Sequence, residues 1–338
     1  MKKFPKASII ITVKNEAHNI NKLIDSLFSL DYPNYEIIIV DGGSTDGTFE
    51  IIDSLSQQNI KILQIKDSTP AEGRNKGLEE ANGEVIAFTD GDCIVRKDWL
   101  KNAVKIFLER KENIGGVGGP ILPYSGLTKL SYMILKSLAN PLINASSPTF
   151  SQNKTERYVK HIPANNAVFL KEAIEKAGRF SPDLRFCEDV DLCYRIRKAG
   201  YKILFSPNVI VEHNWKVSSF RSLLNYMIKY GAGRAISAKK KPHLFSILTI
   251  IPSLLIIGLP SLSILSILLD NIITKLFSML AFSYICLLLT AAIISAWSNK
   301  NLKLLIITFL TGLITHMGYG TGFLLGLIFN EKVWKFLR

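Results

Sequence analysis

The stretch VIAFTDGDCIV, from Val85 to Val95, is an apolar run that ends in an acidic pair. Its first residues have the composition of a buried strand. Asp90 and Asp92 follow, with only Gly91 between them. Two carboxylates at this spacing repel each other unless a positive charge lies between them, and a divalent cation held by carboxylate oxygens would supply that charge. The stretch therefore predicts a strand with a cation site at its carboxyl end.

Strand-like and helix-like segments alternate along the first two hundred residues. The strand-like runs are ASIIITV, YEIIIV, IKILQI and EVIAFTD, and helical patterns such as NINKLIDSLFSL and AEGRNKGLEEA lie between them. This alternation predicts an α/β domain with a mostly parallel sheet. Ligands of such sheets bind outside the carboxyl ends of the strands.

Polar residues directly follow three of these strands. They are Thr12, Asn15 and Glu16 after the first strand, Asp41 after the second and Asp90 after the fourth. Because parallel strands point the same way, these residues are predicted to line one edge of the sheet. The sequence GGSTDG that follows the second strand is also typical of a turn and a helix N-cap, and a helix N-terminus favours anions.

Four motifs together carry a family resemblance. They are SIIITVKNEAHNINKLIDSL, YEIIIVDGGSTDGT, GRNKGLEEANGEVIAFTDGD and CEDVDLCYRIRKAGYKI. In this order they resemble the family 2 glycosyltransferases, which have the Rossmann-like GT-A fold, and the resemblance runs from about Ala7 to about Trp215. It implies an inverting glycosyltransferase that moves one sugar from a nucleotide-sugar to an acceptor.

The resemblance also implies a metal site. In the family the DxD-type pair holds Mg²⁺ or Mn²⁺ against the donor diphosphate, so Asp92 is expected to be the direct ligand and Asp90 to lie nearer the sugar or ribose. His213, in VIVEHNW, matches a histidine that some members use as a further metal ligand, whereas a lone histidine in itself indicates no site. A neutral imidazole suits Mn²⁺ better than Mg²⁺.

The nucleoside end of the donor site follows from the same motifs. The expected contacts are Thr12, Asn15, Glu16, Asp41 and Arg74, with Arg74 facing either phosphate or base. Many family members have two aspartates at the end of the second strand, where this chain has Asp41-Gly42. This departure leaves the base open, with UDP as the default and GDP or dTDP as alternatives.

A second acidic pair, Glu188-Asp189, opens a predicted helix. Acidic residues at a helix start are ordinary partners of the helix dipole. By resemblance, however, Asp189 is the base that deprotonates the acceptor hydroxyl, and Glu188 contacts the acceptor or the sugar. Asp191 is expected to serve structure, and Asn165 and Asn166 to hydrogen-bond sugar hydroxyls.

The acidic pair also separates the alternatives for the acceptor. A polyprenyl-phosphate glycosyltransferase has an anionic acceptor that needs no base, so the pair favours a hydroxyl of a lipid-linked or membrane-proximal saccharide. Processive synthases carry a QxxRW motif, which is missing from this sequence. A non-catalytic nucleotide-sugar-binding scaffold would be expected to lose the acidic residues, and a nucleotidyltransferase would be expected to have a glycine-rich basic loop where this chain has TVKNEAHN.

The last quarter of the chain is strongly apolar. Three runs within residues 244–330 are each long enough to cross a hydrocarbon core as a helix, which takes about 20 residues, and charges inside them are almost absent. We therefore predict about three transmembrane helices. Pro252 and Pro260 could kink the first, and MGYGTG, at 317–322, could make the third re-entrant. The segment GLTKLSYMILKSLANPLINA could touch the bilayer, line the acceptor cleft or pack on the sheet.

Charge completes the predicted organisation. The net charge is +13, and no acidic residue lies between Glu212 and Asp270. Seven basic residues fall in this gap before the first apolar run: Lys216, Arg221, Lys229, Arg234, Lys239, Lys240 and Lys241. Such a cluster marks the cytoplasmic side and binds anionic lipids, and no nucleic-acid module accompanies it.

We thus predict four parts: a catalytic GT-A domain at 1–220 on the cytoplasmic face of the cell membrane, a basic juxtamembrane linker at 221–243, transmembrane helices at 244–330 and a basic tail at 331–338. The four cysteines show no paired spacing and are interpreted as reduced thiols.

Overall fold

The computed structural model describes residues 4–55, 60–143, 155–268 and 272–337, with only the backbone for 257, 259–268, 272–274 and 277. The chain forms two compact units. The first unit comprises the described residues of Met1–Gly126 and Pro148–Trp215, and the second those of Leu127–Ser147 and Lys216–Arg338.

The centre of the first unit is a sheet in which eight described strands have the order β3-β2-β1-β4-β9-β6-β10-β8. Their bounds are β1 Ala7–Val13, β2 Tyr35–Asp41, β3 Ile60–Gln64, β4 Val85–Asp90, β6 Ile114–Gly118, β8 Arg157–Tyr158, β9 Ala167–Leu170 and β10 Lys202–Phe205. The four strands from β3 to β4 are mutually parallel, β6 and β10 are parallel to each other, and β9 and β8 run antiparallel to their neighbours. The predicted α/β class with a mostly parallel sheet is confirmed.

The register of the sheet brings the polar strand ends level. Thr12 on β1 lies opposite Val40 on β2 and Asp90 on β4, and Val13 lies opposite Asp41. The three groups predicted to share one edge therefore do so.

Helices cover both faces of this sheet. They are α1 Ile20–Phe28, α2 Thr48–Asp53, α3 Pro70–Glu80, α4 Trp99–Glu109, α6 Lys171–Ala177 and α7 Glu188–Lys198. On β1, Ile9 and Ile11 belong to one buried cluster while Ile10 belongs to another. Successive side chains of a strand point to opposite faces, so a continuous apolar run is what a strand buried on both faces requires.

A smaller sheet of described strands has the order β5-β11-β7, with β5 Cys93–Val95, β7 Ile121–Pro123 and β11 Val211–His213. β11 is antiparallel to β5, which places His213 opposite Cys93. Since β5 begins directly after Asp92, this pairing brings residues from distant parts of the chain to the end of β4.

The second unit is helical, with α5 Lys129–Leu138, α8 Phe220–Lys240, α9 Ile247–Leu268, α10 Ile272–Ser298 and α11 Lys303–Phe329. α8 runs parallel to the second half of α11, where a side chain on Gly322 would clash with the carbonyl of Ile228, and one on Gly326 would lie 2.6 Å from that of Ala232. Glycine at these positions permits the close approach of the two helices.

α5 belongs to this second unit and not to the unit that contains the sheet. Oγ of Ser137 lies 2.8 Å from Oγ1 of Thr308, and the Asn140 amide donates to the carbonyl of Ala291 and to Oγ of Ser295, each at 3.0 Å. The segment therefore packs on α10 and α11.

Two helices in the described part of the chain are long and apolar enough to cross a membrane. They are Ser278–Ser298 and Lys303–Lys335, with mean hydropathy 2.2 and 1.4. The first predicted span, α9, is helical, but its fully described apolar stretch, Ile247–Ile256, is shorter than a crossing requires. α11 is a continuous helix through 317–322, the segment for which a re-entrant turn was considered.

Candidate functional site

The acidic pair lies at the end of β4, where the backbone bends tightly. A Cβ on Gly91 would lie 2.9 Å from Cγ1 of Val13 and 3.0 Å from Cγ of Glu16. A larger residue would push against these two side chains, so glycine between Asp90 and Asp92 lets the turn pack closely against the end of β1.

His213 lies beside the second aspartate. Its Nε2 is 3.0 Å from Oδ1 of Asp92, the residue is 7% exposed, and its Nδ1 is buried without a hydrogen-bond partner among the described residues. Burial alone would lower the pKa of His213, but the carboxylates of Asp92, Asp90 and Glu16 together outweigh it and the pKa is raised. Asp92 and His213, both predicted as metal ligands, are thus brought together.

The donor atoms here suit a divalent cation. Ligand atoms of Asp92, Cys93 and His213 all lie within 4.8 Å of one another. Carboxylate oxygen and imidazole nitrogen are donors that Mn²⁺ accepts. Burial raises the pKa of the Cys93 thiol well above its usual value, so the thiol stays protonated beside the two better donors. A place for Cys93 at this site was not predicted, although its adjacency to Asp92 in the sequence was a signal.

The second acidic pair opens α7. The residue before it, Cys187, has a φ of 62°, a left-handed backbone that sets the direction in which the helix starts. Asp189 accepts hydrogen bonds from the backbone N–H of Ala164 at 3.3 Å and of Val190 at 2.7 Å, and its side chain remains partly exposed. Asp191 is buried and pairs with Arg195 at 2.7 Å, the structural role expected of it.

One arginine joins the two acidic pairs. Arg74, on α3, is 4% exposed; its Nη1 donates to Oε1 of Glu188 at 2.7 Å and its Nη2 to Oδ1 of Asp90 at 3.0 Å. Burial, and then the neighbouring Asp189 carboxylate, raise the pKa of Glu188 to about 7, although Arg74 acts in the opposite direction. The sequence suggested a phosphate or base contact for Arg74, and in the structure its guanidinium pairs with carboxylates.

The residues expected at the nucleoside form a second group, at the ends of β1 and β2. Asn15 has a φ of 59°; its N–H donates to Oγ of Ser44 and its Oδ1 accepts from the N–H of Thr45, each at 2.9 Å. The N–H of Glu16 donates to Oγ1 of Thr48 at 2.8 Å. These bonds fix the loop after β1 against the turn after β2.

Asp41 is part of that turn. It is fully buried, and its carboxylate accepts hydrogen bonds from the N–H groups of Gly43 and Ser44 and from the Gln64 amide, each at 3.1 Å. Thr12, at the end of β1, lies against α3, where a Cβ on Gly73 would be 2.9 Å from its Cγ2.

The two asparagines before β9 differ in their surroundings. Asn166 is fully buried, accepts from Nε1 of Trp99 at 2.8 Å and donates to the carbonyls of Pro120 and Val209. It is therefore bonded on all sides to the protein. Asn165 has a buried Oδ1 without a hydrogen-bond partner in the described chain, so it is the member of the pair with bonding capacity left.

A hydrogen-bonded chain that the sequence analysis missed supports the loop at His213. Oε2 of Glu16 accepts from the Asn19 amide at 2.8 Å, whose Oδ1 accepts from the Asn214 amide at 2.8 Å. The N–H of Asn214 donates to the carbonyl of Asp92 at 2.9 Å. Only the position of Asn214 next to His213 hinted at this role.

Comparison with known proteins gives a consistent result. The model of the family described as Glycosyl transferase family 2 matches residues 8–178. Glycosyltransferase AglE of Haloferax volcanii is 31% identical over 236 residues, which are 68% of this chain and 73% of that protein. A Methanococcus voltae protein, dolichyl N-acetyl-α-D-glucosaminyl phosphate 3-β-D-2,3-diacetamido-2,3-dideoxy-β-D-glucuronosyltransferase, is 29% identical over 255 residues, covering 72% of this chain and 77% of that protein.

Among solved structures, the mannosyltransferase PcManGT from Pyrobaculum calidifontis, in complex with GDP-Man and Mn²⁺, aligns with a TM-score of 0.62 at 19% identity, over 93% of this chain and 88% of that one. This structural likeness supports a GT-A-like fold. The family match includes the first acidic pair, Asp90 and Asp92, and the loops after β1 and β2. The chain belongs to glycosyltransferase family 2 and is a glycosyltransferase.

Proposed function

We propose that the protein is an inverting, metal-dependent glycosyltransferase that moves one sugar from a nucleotide-sugar to a hydroxyl of a lipid-linked or membrane-proximal saccharide. The observation that carries the proposal is the link between the acidic pairs: one guanidinium, that of Arg74, hydrogen-bonds both Asp90 and Glu188. A carboxylate beside the proposed metal site and a carboxylate beside the proposed base thus belong to one connected group, and sugar transfer depends on such proximity of the donor and acceptor sides.

At the donor side, Asp92 and His213 would hold Mn²⁺ or Mg²⁺. When bound, the cation stabilises the negative charge that develops on the leaving diphosphate. The donor set, the 3.0 Å separation of Nε2 from Oδ1 and the unpartnered Nδ1 of His213 support this assignment. Thr12, Asn15, Glu16 and Asp41 would shape the nucleoside end, and Asp90 would face the sugar or ribose.

The proposed donor is a UDP-sugar, and a GDP-sugar or a dTDP-sugar is the alternative. Structural neighbours have been solved with different nucleotides: PcManGT with GDP-Man, and TarS of S. aureus with UDP-GlcNAc at a TM-score of 0.52 and 17% identity. The fold therefore accommodates more than one base.

At the acceptor side, Asp189 would take the proton of the attacking hydroxyl. Its carboxylate is held by the N–H groups of Ala164 and Val190 and is partly exposed, so it is both oriented and accessible. Glu188 would contact the acceptor or the transferred sugar, and Asn165 would offer its free Oδ1 to a sugar hydroxyl. A base at this position would have no task if the acceptor were already anionic, which argues against a polyprenyl-phosphate acceptor.

The relatives favour a lipid-linked acceptor. The name of the Methanococcus voltae relative describes transfer to a dolichyl-phosphate-linked N-acetylglucosamine, at its 3-position. We infer an acceptor of the same chemical class, a saccharide on a lipid phosphate. The retained acidic residues and His213 argue against a non-catalytic nucleotide-sugar-binding scaffold.

We further propose that the chain is a multi-pass protein of the cell membrane, with catalytic domain 1–220 on the cytoplasmic side, linker 221–243, transmembrane helices within 244–330 and tail 331–338. Large apolar side chains of α10 are exposed, including Met279 at 67%, Phe282 at 70% and Trp297 at 85%. Contact with lipid would remove this surface from water, and the basic cluster before Leu244 would bind anionic head groups.

The test is metal-dependent release of nucleoside diphosphate from a panel of nucleotide-sugars, with the full chain in detergent and a lipid extract. We expect turnover that needs Mn²⁺ or Mg²⁺, its loss in Asp92→Ala, and a decrease of about 10²–10⁴-fold in kcat in Asp189→Asn. Asp31→Asn, which removes a surface carboxylate paired with Lys101, is the matched control and should retain activity. Absence of turnover with every donor, together with nucleotide binding that ignores Asp92→Ala, would overturn the metal-site assignment and favour the scaffold.

A further inference from the structure

α3 is a rigid support between the sheet and α7. Its first turn is closed by a capping box, in which the Glu72 N–H donates to Oγ1 of Thr69 at 3.2 Å and the Thr69 N–H donates to Oε2 of Glu72 at 2.7 Å. A side chain on Gly77 would clash with Ile10 of β1, so this face of the helix rests directly on the strand. Arg74 and Asn75 follow Gly73 on this helix and are therefore held in place against the sheet.

Asn75 binds the segment that precedes α7. Its amide donates to the carbonyl of Phe180 at 2.8 Å, and its Oδ1 accepts from the Phe180 N–H at 3.0 Å. Both hydrogen-bonding groups of one backbone residue are thus satisfied by a single side chain. Phe180 itself is 2% exposed, and its ring packs against Phe88 of β4 at 5.2 Å between centroids.

Arg74 holds the other end of the same segment. It hydrogen-bonds Glu188, the first residue of α7, and its guanidinium carbon lies 5.6 Å from the centre of the Phe180 ring. The segment between Phe180 and Glu188 is therefore attached to α3 at both ends. At the intervening Cys187 the backbone is left-handed, a conformation that L-residues rarely adopt without support from their surroundings.

We propose that the Arg74-Asn75 pair is a positioning device that fixes Asp189 relative to Asp90, with Asn75 acting through the backbone of Phe180 and Arg74 through Glu188. This inference rests on the proposed function, in which Asp189 is the base and Asp90 faces the donor. Asn75 touches neither substrate site in this arrangement and is a positioning residue.

The two residues act on different parts of the segment. Arg74 fixes the side chain of Glu188, because the same guanidinium also pairs with Asp90. Asn75 binds backbone atoms, so it fixes the path of the chain before α7 independently of charge. A shift of about 1 Å in a catalytic group can cost about 10²-fold in rate, which makes such a brace consequential.

The test compares Asn75→Ala with wild type for kcat, acceptor KM and the dissociation constant of Mn²⁺–nucleoside diphosphate. We expect kcat to fall at least about tenfold, equal to about 1.4 kcal/mol in the barrier, while donor affinity stays within about twofold. A residue that merely stabilised the fold would lower the fraction of active protein and leave kcat per active site and its ratio to KM unchanged. Active-site titration with labelled donor supplies that fraction. Asn113→Ala is the matched control, since it removes one exposed bond to the carbonyl of Gly200.

Two further variants keep the inference testable if Asn75→Ala does not fold. Asn75→Asp retains an acceptor for the Phe180 N–H but no donor for its carbonyl, and Arg74→Lys retains charge but loses the fork that reaches Glu188 and Asp90 together. Each is expected to lower kcat more than it weakens donor binding. Unchanged kcat in these folded variants, with an active wild type, overturns the inference alone, whereas an inactive wild type overturns the proposed function.

Discussion

Nε2 of His213 lies 3.0 Å from Oδ1 of Asp92, although His213 ends β11 and Asp92 lies in the turn between β4 and β5. The contact joins an imidazole to a carboxylate in the turn that follows the buried strand β4. It exists because β11 pairs antiparallel with β5 and places His213 opposite Cys93.

From this contact we predict that His213→Ala weakens Mn²⁺ binding at least about tenfold, which equals about 1.4 kcal/mol, because an imidazole donor is lost from the site. Titration of free Mn²⁺ by electron paramagnetic resonance, with nucleoside diphosphate present, measures the affinity without reference to turnover. His243→Ala, an exposed histidine of the second unit, is the control. Equal Mn²⁺ affinity in wild type and His213→Ala would remove His213 from the proposed ligand set.

The raised pKa of Glu188 predicts that the stability of the protein depends on pH. Burial and Asp189 raise its pKa to about 7, from 4.5. Between these values the unfolded chain releases this proton while the folded chain keeps it, so the stability contributed by protonated Glu188 is lost as pH rises through the window. Glu188→Gln has no such proton. As the pH rises from 4.5 to 7, the unfolding free energy of Glu188→Gln should therefore increase relative to that of wild type by up to about 3 kcal/mol. Chemical unfolding at several pH values measures it, and a constant difference between the two proteins would contradict the raised pKa.

The close packing of Gly77 against β1 predicts that a larger residue at this position destabilises the protein. A methyl group there would clash with Ile10, which is fully buried in β1. Gly77→Ala should therefore destabilise the protein by about 1–3 kcal/mol, despite the higher helix propensity of alanine. Lys76→Ala, at an exposed neighbouring position, should change stability by less than about 0.5 kcal/mol. Thermal or urea unfolding decides, and a Gly77→Ala protein as stable as wild type would mean that α3 can move off the strand.

The exposed face of α10 predicts contact with lipid. In vesicles, a spin label at Phe282→Cys, in a Cys286→Ser background, should be accessible to oxygen and shielded from an aqueous nickel complex. A label at Lys105→Cys, on an exposed face of α4, should behave in the opposite way. Equal access of the nickel complex to both labels would argue against membrane insertion of α10.

Much of the fold and part of the site were predictable from local patterns. The apolar runs at β1, β2 and β4 and the acidic residues after them predicted the parallel sheet and its polar edge, because strand burial and turn chemistry depend on neighbouring residues. The family motifs added the expected roles of Asp92, His213 and Asp189, and the structure brings the first two residues into contact.

Other features depended on tertiary packing. The pairing of Arg74 with Asp90 and Glu188, and of Asn75 with Phe180, joins segments up to 114 residues apart. Likewise, α5 has an ordinary amphipathic sequence, and only its contacts with α10 and α11 placed it in the second unit.

The sequence by itself determined the class of the fold, the polar edge of the sheet and the apolar character of the C-terminal helices, because hydrophobic periodicity and turn residues act over a few positions. The tertiary structure decided which charges meet. A buried guanidinium must find carboxylates wherever register and packing bring them, and no local pattern records that choice.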